Sequence, residues 1–176
     1  MVGSHLAPTP GWATAWIGIG SNIRDPIKRC RQVIVLLAQH PRMRLVGVSS
    51  WYRSEPLGWK RQPWFVNGVA CIRTPLPPLA LLRTLHRVEA RLGRDRRHEI
   101  ANGPRPMDLD LLLYNRLVWH HPRLRLPHPA MTHRRFVLQP LAEIASGLLH
   151  PGCGKSIDLL LRETDDGSRV ERMVFP

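Results

Sequence analysis

Residues 103–114 read GPRPMDLDLLLY, a turn followed by a strand with carboxylates two positions apart. On a strand, residues i and i+2 share a face, so Asp108 and Asp110 converge while Leu109 faces the core. The strand, Met107–Tyr114, ends in an apolar run and is the fourth of a series. Upstream, Thr14–Ile19 alternates as a first strand and ends at Gly20-Ser21-Asn22. Asp25-Pro26 then offers an N-cap followed by proline at the first helical position. Ile27, Cys30, Val33, Ile34, Leu37 and Ala38 follow at helical spacing, stopping before Pro41. Arg44–Tyr52 reads as a second strand and Phe65–Arg73 as a third, separated by the irregular stretch 54–63. A second helix follows Pro75, Pro77 and Pro78, with Leu82, Leu85, Val88 and Leu92 on one face and Gly93 as its stop. The order β-α-β-β-α-β predicts a ferredoxin-like α+β antiparallel sheet with helices on one face.

Beyond Tyr114, the sequence predicts a hairpin at Asn115-Arg116 and a short strand near Leu117–Trp119. A helix over Thr132–Ala145 follows, broken or kinked by Pro140, and residues 146–176 form a C-terminal extension. Residues 94–106 have charge, Gly and Pro but no periodicity, which predicts a long exposed loop, and loops of that length are often functional or mobile. Residues 1–12 are set aside as an N-terminal extension or cloning remnant, leaving 13–176 as one domain. At 176 residues the chain is long enough to bury one core without staples. No apolar run approaches the ~18 residues that a membrane span needs. Three widely spaced cysteines, Cys30, Cys71 and Cys153, argue against a disulfide framework or cysteine zinc site and fit a reducing cytoplasm.

Two carboxylates side by side repel, and one takes up a proton unless a cation lies between them. Hard oxygen ligands suit Mg²⁺, which completes its shell with water and phosphates. The bland alternative is a solvated strand end whose acids pair with nearby arginines. The formal net charge of +13 is almost all arginine, with Lys only at 28, 60 and 155. A GC-rich genome would also raise Arg and Pro, so the distribution says more than the total. Residues 83–105 hold seven Arg against three acids, and 123–135 hold four Arg and no acid, flanking the aspartates. Carboxylates for Mg²⁺ beside Arg94, Arg96, Arg97 and Arg105 are the working parts of phosphoryl transfer.

No G-x-x-x-x-G-K-[ST] loop and no kinase signature is present. The turn at 18–22 lacks the third glycine of a dinucleotide fingerprint and reads as a strand end. His120, His121, His128 and His133 fit no zinc spacing, and His128, between prolines, is better suited to donate to a phosphate near Arg134. Phe65 and Asn67 share a strand face, an aromatic ring beside an amide, as a flat hydrogen-bonding heterocycle needs.

The chain resembles the 6-hydroxymethyl-7,8-dihydropterin pyrophosphokinase family. The matching stretches are WIGIGSN (16–22), VSSWYRSEPLG (48–58), QPWFVNGVA (62–70), GPRPMDLDLLLY (103–114) and LPHPAMTHRRFVLQPLAEIA (126–145). The resemblance implies the ferredoxin-like fold. It also implies transfer of the β,γ-pyrophosphoryl group of ATP to the pterin hydroxymethyl oxygen, releasing AMP, with two Mg²⁺ ions. By resemblance, Asp108 and Asp110 bind both metals, and Arg94 and Arg105 act on the triphosphate and the transferring group. Glu89, His128 and Arg134 match nucleotide-site positions, with Arg96 and Arg97 in a mobile catalytic loop. Phe65 and Phe136 match the rings that sandwich the pterin, Asn67 its amide partner, and backbone around Ser54 and Leu57 completes the pocket. Three departures stand out: Asn102 replaces an aromatic residue common before Gly-Pro-Arg, the loop from Gly93 to Gly103 is one residue longer than in some relatives, which bears on the register of Arg96 and Arg97, and His86 stands where Gln is common near adenine.

The expected partners are therefore ATP and the pterin, with no nucleic acid or membrane, in a cytoplasmic monomer. The rival readings are an RNA-binding module and an ordinary γ-phosphoryl kinase. The first predicts a ribonucleoprotein aromatic motif that is missing, and Asp108 and Asp110 would repel its phosphates. The second is separable by its ADP product.

Overall fold

The computed structural model describes residues 11–98, 100 and 103–175. Its sheet is built around β1 (Ala13–Ser21), which pairs antiparallel with β4 (Phe65–Thr74) on one side and β5 (Asp108–Tyr114) on the other. β4 also pairs with β2 (Arg44–Val48) and β3 (Tyr52–Ser54), and β3 pairs with β8 (Val170–Arg172). The path is β5-β1-β4-β3-β8, with β2 beside β4. This is a mixed α/β architecture on an antiparallel sheet. None of its described helices is long and apolar enough to cross a membrane.

One face of the sheet carries α1 (Pro26–Ala38) and α2 (Pro78–Arg91). Asp25 caps α1 by accepting from the Lys28 N–H at 3.3 Å, and Cys30, Val33 and Leu37 enter a core shared with Ala15, Ile17 and Ile19. The buried stripe of α2 is rotated from the expected one. Leu81, Leu85 and Glu89 are buried, continued by Leu92, while Leu82 and Val88 are half-buried. A carboxylate holds a core position there because its oxygens are fully partnered, as described below.

The expectation that helices cover one face alone is corrected. α3 (Arg135–Ala145) and α4 (Ile157–Glu163) form a second core with Val69, Leu112 and Leu113 on the opposite face. β4 is buried along nearly its whole length, so both its sides need cover. A register shift between Trp16 and Ile17 leaves Leu112 as an extra residue in β5, so Leu112 and Leu113 both serve that second core.

The single strand expected over 44–52 is split. The Ser49 hydroxyl takes the Val69 N–H at 2.9 Å in place of the ladder, and the Trp51 ring lies against Gly68. The short strand after Tyr114 begins at Trp119, and it does not return along β5. β6 (Trp119–His121) and β7 (Leu124–Leu126) form a separate ribbon, while Asn115, at φ 49°, turns back to bond Thr14. The helix expected from Thr132 starts at Arg135, because extended Arg134 separates it from a 3-10 turn at Met131–His133. It then runs past Pro140 without ending.

Candidate active site

β5 lays Leu109 and Leu111 into the α1/α2 core, so Asp108 and Asp110 emerge on the α3 side. Opposite them on β1 are Gly20 and Gly18, respectively. The two glycines form a floor without side chains. A Cβ on Gly20 would stand 3.3 Å from the Asn67 Oδ1, so bulk there would enter the cleft. The GIGSN turn is therefore part of the site, which the strand-end reading missed.

One cleft gathers most of the expected residues. Ser54, Leu57, Phe65 and Asn67 line one wall, Phe136 and Arg134 the other, with Arg105, Asp108 and Asp110 at its end. Asn67 donates to the Ser54 hydroxyl at 2.8 Å, which fixes the amide beside the Phe65 ring. The Arg134 guanidinium lies 5.7 Å from the centre of the Phe136 ring. The far end of α3 is anchored by Glu143. It accepts from the Ser50 N–H at 2.9 Å, the Ser50 hydroxyl at 2.7 Å and the Tyr52 hydroxyl at 3.0 Å.

A second hollow, between α2 and the loop that follows, is lined by His86, Glu89, Arg94, Arg96 and Arg97. Glu89 is 1% exposed. Its Oε1 accepts from Arg94 at 2.6 Å and from the Leu109 N–H at 2.8 Å, while Oε2 takes Arg96 Nη2 at 2.6 Å and Nε at 3.1 Å. Arg94 is itself buried and also donates to Oδ1 of Asp108. Arg105 reaches Asp108 Oδ2 at 3.1 Å. Both oxygens of Asp108 are thus held by guanidiniums. Arg97 instead turns outward to Asp95, at 3.3 Å.

Asn22 is a second residue that sequence reasoning passed over. It is buried, its Oδ1 accepts the Arg105 N–H at 2.8 Å, and its Nδ2 donates to Gln62 Oε1 at 2.9 Å and the Pro63 carbonyl at 3.0 Å. Its polar type directly after an apolar strand was the available signal.

Burial, and next the charge of Asp108, push the Asp110 carboxyl up to about 7 against the pull of Arg134. A carboxylate pair in this state is one that a cation would relieve. Burial first, then Arg134, pushes His128 down to about 4, so it is a neutral imidazole at pH 7, 4.0 Å from Asp110. Burial and Arg96 likewise lower His86. Among the described residues, no three His, Cys, Asp or Glu side chains cluster to cage a metal. Two carboxylates facing an open cleft suit an ion that draws its other ligands from water and substrate oxygens. Asn102 lies outside the described residues.

Residues 16–146 match the model of a family described as 7,8-dihydro-6-hydroxymethylpterin-pyrophosphokinase (HPPK). A 2-amino-4-hydroxy-6-hydroxymethyldihydropteridine pyrophosphokinase of Haemophilus influenzae is 44% identical over 138 residues, 78% of this chain and 85% of that protein. The Bacillus subtilis protein of the same name is 45% identical over 130 residues, 74% of this chain and 77% of its own. Among solved structures, a Plasmodium falciparum HPPK-DHPS superposes with a TM-score of 0.69 at 12% identity, covering 86% of this chain and 45% of that one. That likeness bears on the fold alone, and this chain spans under half of that protein's length.

Proposed function

The chain belongs to the 7,8-dihydro-6-hydroxymethylpterin-pyrophosphokinase family, and from that premise we infer a pyrophosphokinase of folate biosynthesis. It transfers the β,γ-pyrophosphoryl group of ATP to 6-hydroxymethyl-7,8-dihydropterin, giving AMP and the pterin diphosphate. The observation that carries the site is the meeting of Asp108 and Asp110 with Phe65, Asn67 and Phe136 in one cleft. The pterin lies between the Phe65 and Phe136 rings, its edge read by Asn67 and by backbone near Ser54 and Leu57. The triphosphate runs past Asp108 and Asp110 toward Arg134, His128 and the hollow beside Glu89.

In the transfer, the pterin hydroxymethyl oxygen bonds to the β-phosphorus as the bond from that phosphorus to the α,β-bridging oxygen breaks. The hydroxyl proton leaves to water, and the bridging oxygen departs with AMP. Arg94 and Arg105 neutralise charge on the transferring group, and both begin parked on Asp108. Phosphates that draw them away free that carboxylate. Two Mg²⁺ ions held by Asp108 and Asp110 would supply charge neutralisation and alignment of the acceptor oxygen. Arg96 approaches the nucleotide from the Glu89 side, while Arg97 contributes from an exposed position. His128 donates as a neutral imidazole.

We read the strand order as the ferredoxin-like arrangement, with β2 and β3 sharing the place of its second strand. Residues 13–176 make one catalytic domain, acting as a cytoplasmic monomer without nucleic acid. The test is the nucleotide product formed with ATP, Mg²⁺ and the pterin. Pterin-dependent AMP is expected. ADP would replace the reading with a γ-phosphoryl kinase, and RNA binding without turnover would replace it with a binding module.

A further inference from the structure

The turn between β1 and α1 holds two successive non-glycine residues in the left-handed region, Arg24 at φ 56° and Asp25 at φ 62°. Such backbone persists only where its surroundings hold it. The Arg29 Nε donates to the Arg24 carbonyl at 2.8 Å, and the same guanidinium donates through Nη1 to the carbonyl of Leu92. Leu92 is the C-cap of α2, where helix geometry leaves carbonyls unpartnered and the dipole favours a cation. Gly93 follows at φ 91°, and a Cβ on it would stand 3.8 Å from Arg29 Nη1 and 3.9 Å from Arg24 Nη1. The next residue is Arg94. Arg29 itself lines neither the cleft nor the hollow beside α2.

We propose that Arg29 is a positioning residue for pyrophosphoryl transfer: its fork ties the exit of α2 to the β1–α1 turn and so sets where Arg94 meets Asp108. The inference rests on the function proposed above. The β1–α1 turn continues directly from the strand whose glycines floor the cleft. Fastening Leu92 to that turn therefore sets the origin of Arg94 against the same frame that carries the acceptor site. Both carbonyls are reached by one planar group, a geometry that the single nitrogen of lysine does not reproduce.

The experiment is a double-mutant cycle in the full chain, with kcat and the ATP KM measured for AMP formation. Arg29→Gln is expected to lower kcat about tenfold or more, the scale set by misplacement of a group at the reacting centre, with little change in KM. Arg29→Lys, which keeps the charge, restores less than half of that loss. In the Arg94→Ala background, Arg29→Gln has no further effect, because the path runs through Arg94. A general loss of packing would instead multiply the two effects. Wild-type kcat in Arg29→Gln, or full additivity in the cycle, overturns the proposal. Should Arg29→Gln fail to fold, Arg29→Lys carries the same cycle.

Amide exchange separates this inference from the reading beneath it. The Arg94 N–H, bonded to the Glu89 carbonyl at 3.0 Å, exchanges faster in Arg29→Gln and in Arg29→Lys than in the parent if the latch exists. Unchanged exchange removes the latch even in an active enzyme. Absence of pterin-dependent AMP from the parent protein removes the proposed function while leaving the exchange result to stand.

Discussion

The Oε1 of Glu89 accepts the main-chain N–H of Leu109 at 2.8 Å. A carboxylate on α2 is thereby bonded to the residue lying between Asp108 and Asp110. The same oxygen holds Arg94, so one buried charge registers a helix, a strand and an arginine against each other. Glu89→Ala would leave Arg94 without that partner in the core. Its expected cost is about 1–3 kcal/mol of stability, read from urea unfolding, because the buried Leu109 N–H loses its acceptor while Arg94 keeps Asp108. A cost below about 1 kcal/mol would mean that the carboxylate holds nothing together.

Asp110 yields a pH prediction with a definite sign. Its folded pKa of about 7 lies above the unfolded value, so between about pH 4 and 7 the folded protein keeps a proton that the unfolded chain releases. That contribution is complete below the unfolded pKa and is lost as pH rises through 7. Metal-free Asp110→Asn should therefore be more stable than the parent at pH 8, by about 1 kcal/mol after allowing for solvent screening. It should also have lost turnover. Equal melting temperatures at pH 8 would remove the strain attributed to this carboxylate.

Mg²⁺ and ATP should bind synergistically. With both Asp108 oxygens on guanidiniums, the free protein offers Mg²⁺ little. Calorimetry should show at least about tenfold tighter Mg²⁺ binding once a non-hydrolysable ATP analogue has drawn the arginines onto phosphate, a coupling of usual allosteric size. Equal affinity with and without the analogue would contradict the parked arrangement.

Gly68→Ala should destabilise by about 1–3 kcal/mol, the usual scale of overpacking. The added Cβ would meet the Trp51 ring at 2.6 Å, and the ring is wedged beside the split between β2 and β3. Trp51 fluorescence should shift with it. An unchanged spectrum and stability would show that the ring moves freely.

The parts of the site that were legible in the sequence are those set by local periodicity. Asp108 and Asp110 converge because strand geometry requires it, and Asp25-Pro26 starts α1 because capping chemistry is local. What stayed hidden depends on partners distant in the chain. Glu89 was placed at the nucleotide site by resemblance, yet its burial and its bond to the Leu109 N–H show only once β5 lies beside α2, although its spacing from Leu85 was that of a core position. Gly18 and Gly20 acquire meaning only when β5 lies beside them. The layer formed by α3 and α4 was missed because an alternating strand does not say what covers its second face. Arg97 sits in the right loop, yet its neighbour Asp95 turns it outward.

Glu143 and Phe136 are seven residues apart on one helix, about 10 Å at the usual rise. The first is tied to Ser50 and Tyr52, and the second forms a wall of the cleft. The width of the proposed pterin slot is therefore set partly from a place that no occupant of the slot would touch. Resistance to an inhibitor lodged there would not have to arise among the residues it contacts. Loss of Glu143 would let α3 tilt about its far end, loosening the grip on a rigid inhibitor more than on a substrate also held through its phosphate partner. A screen of variants confined to the slot would pass over that route.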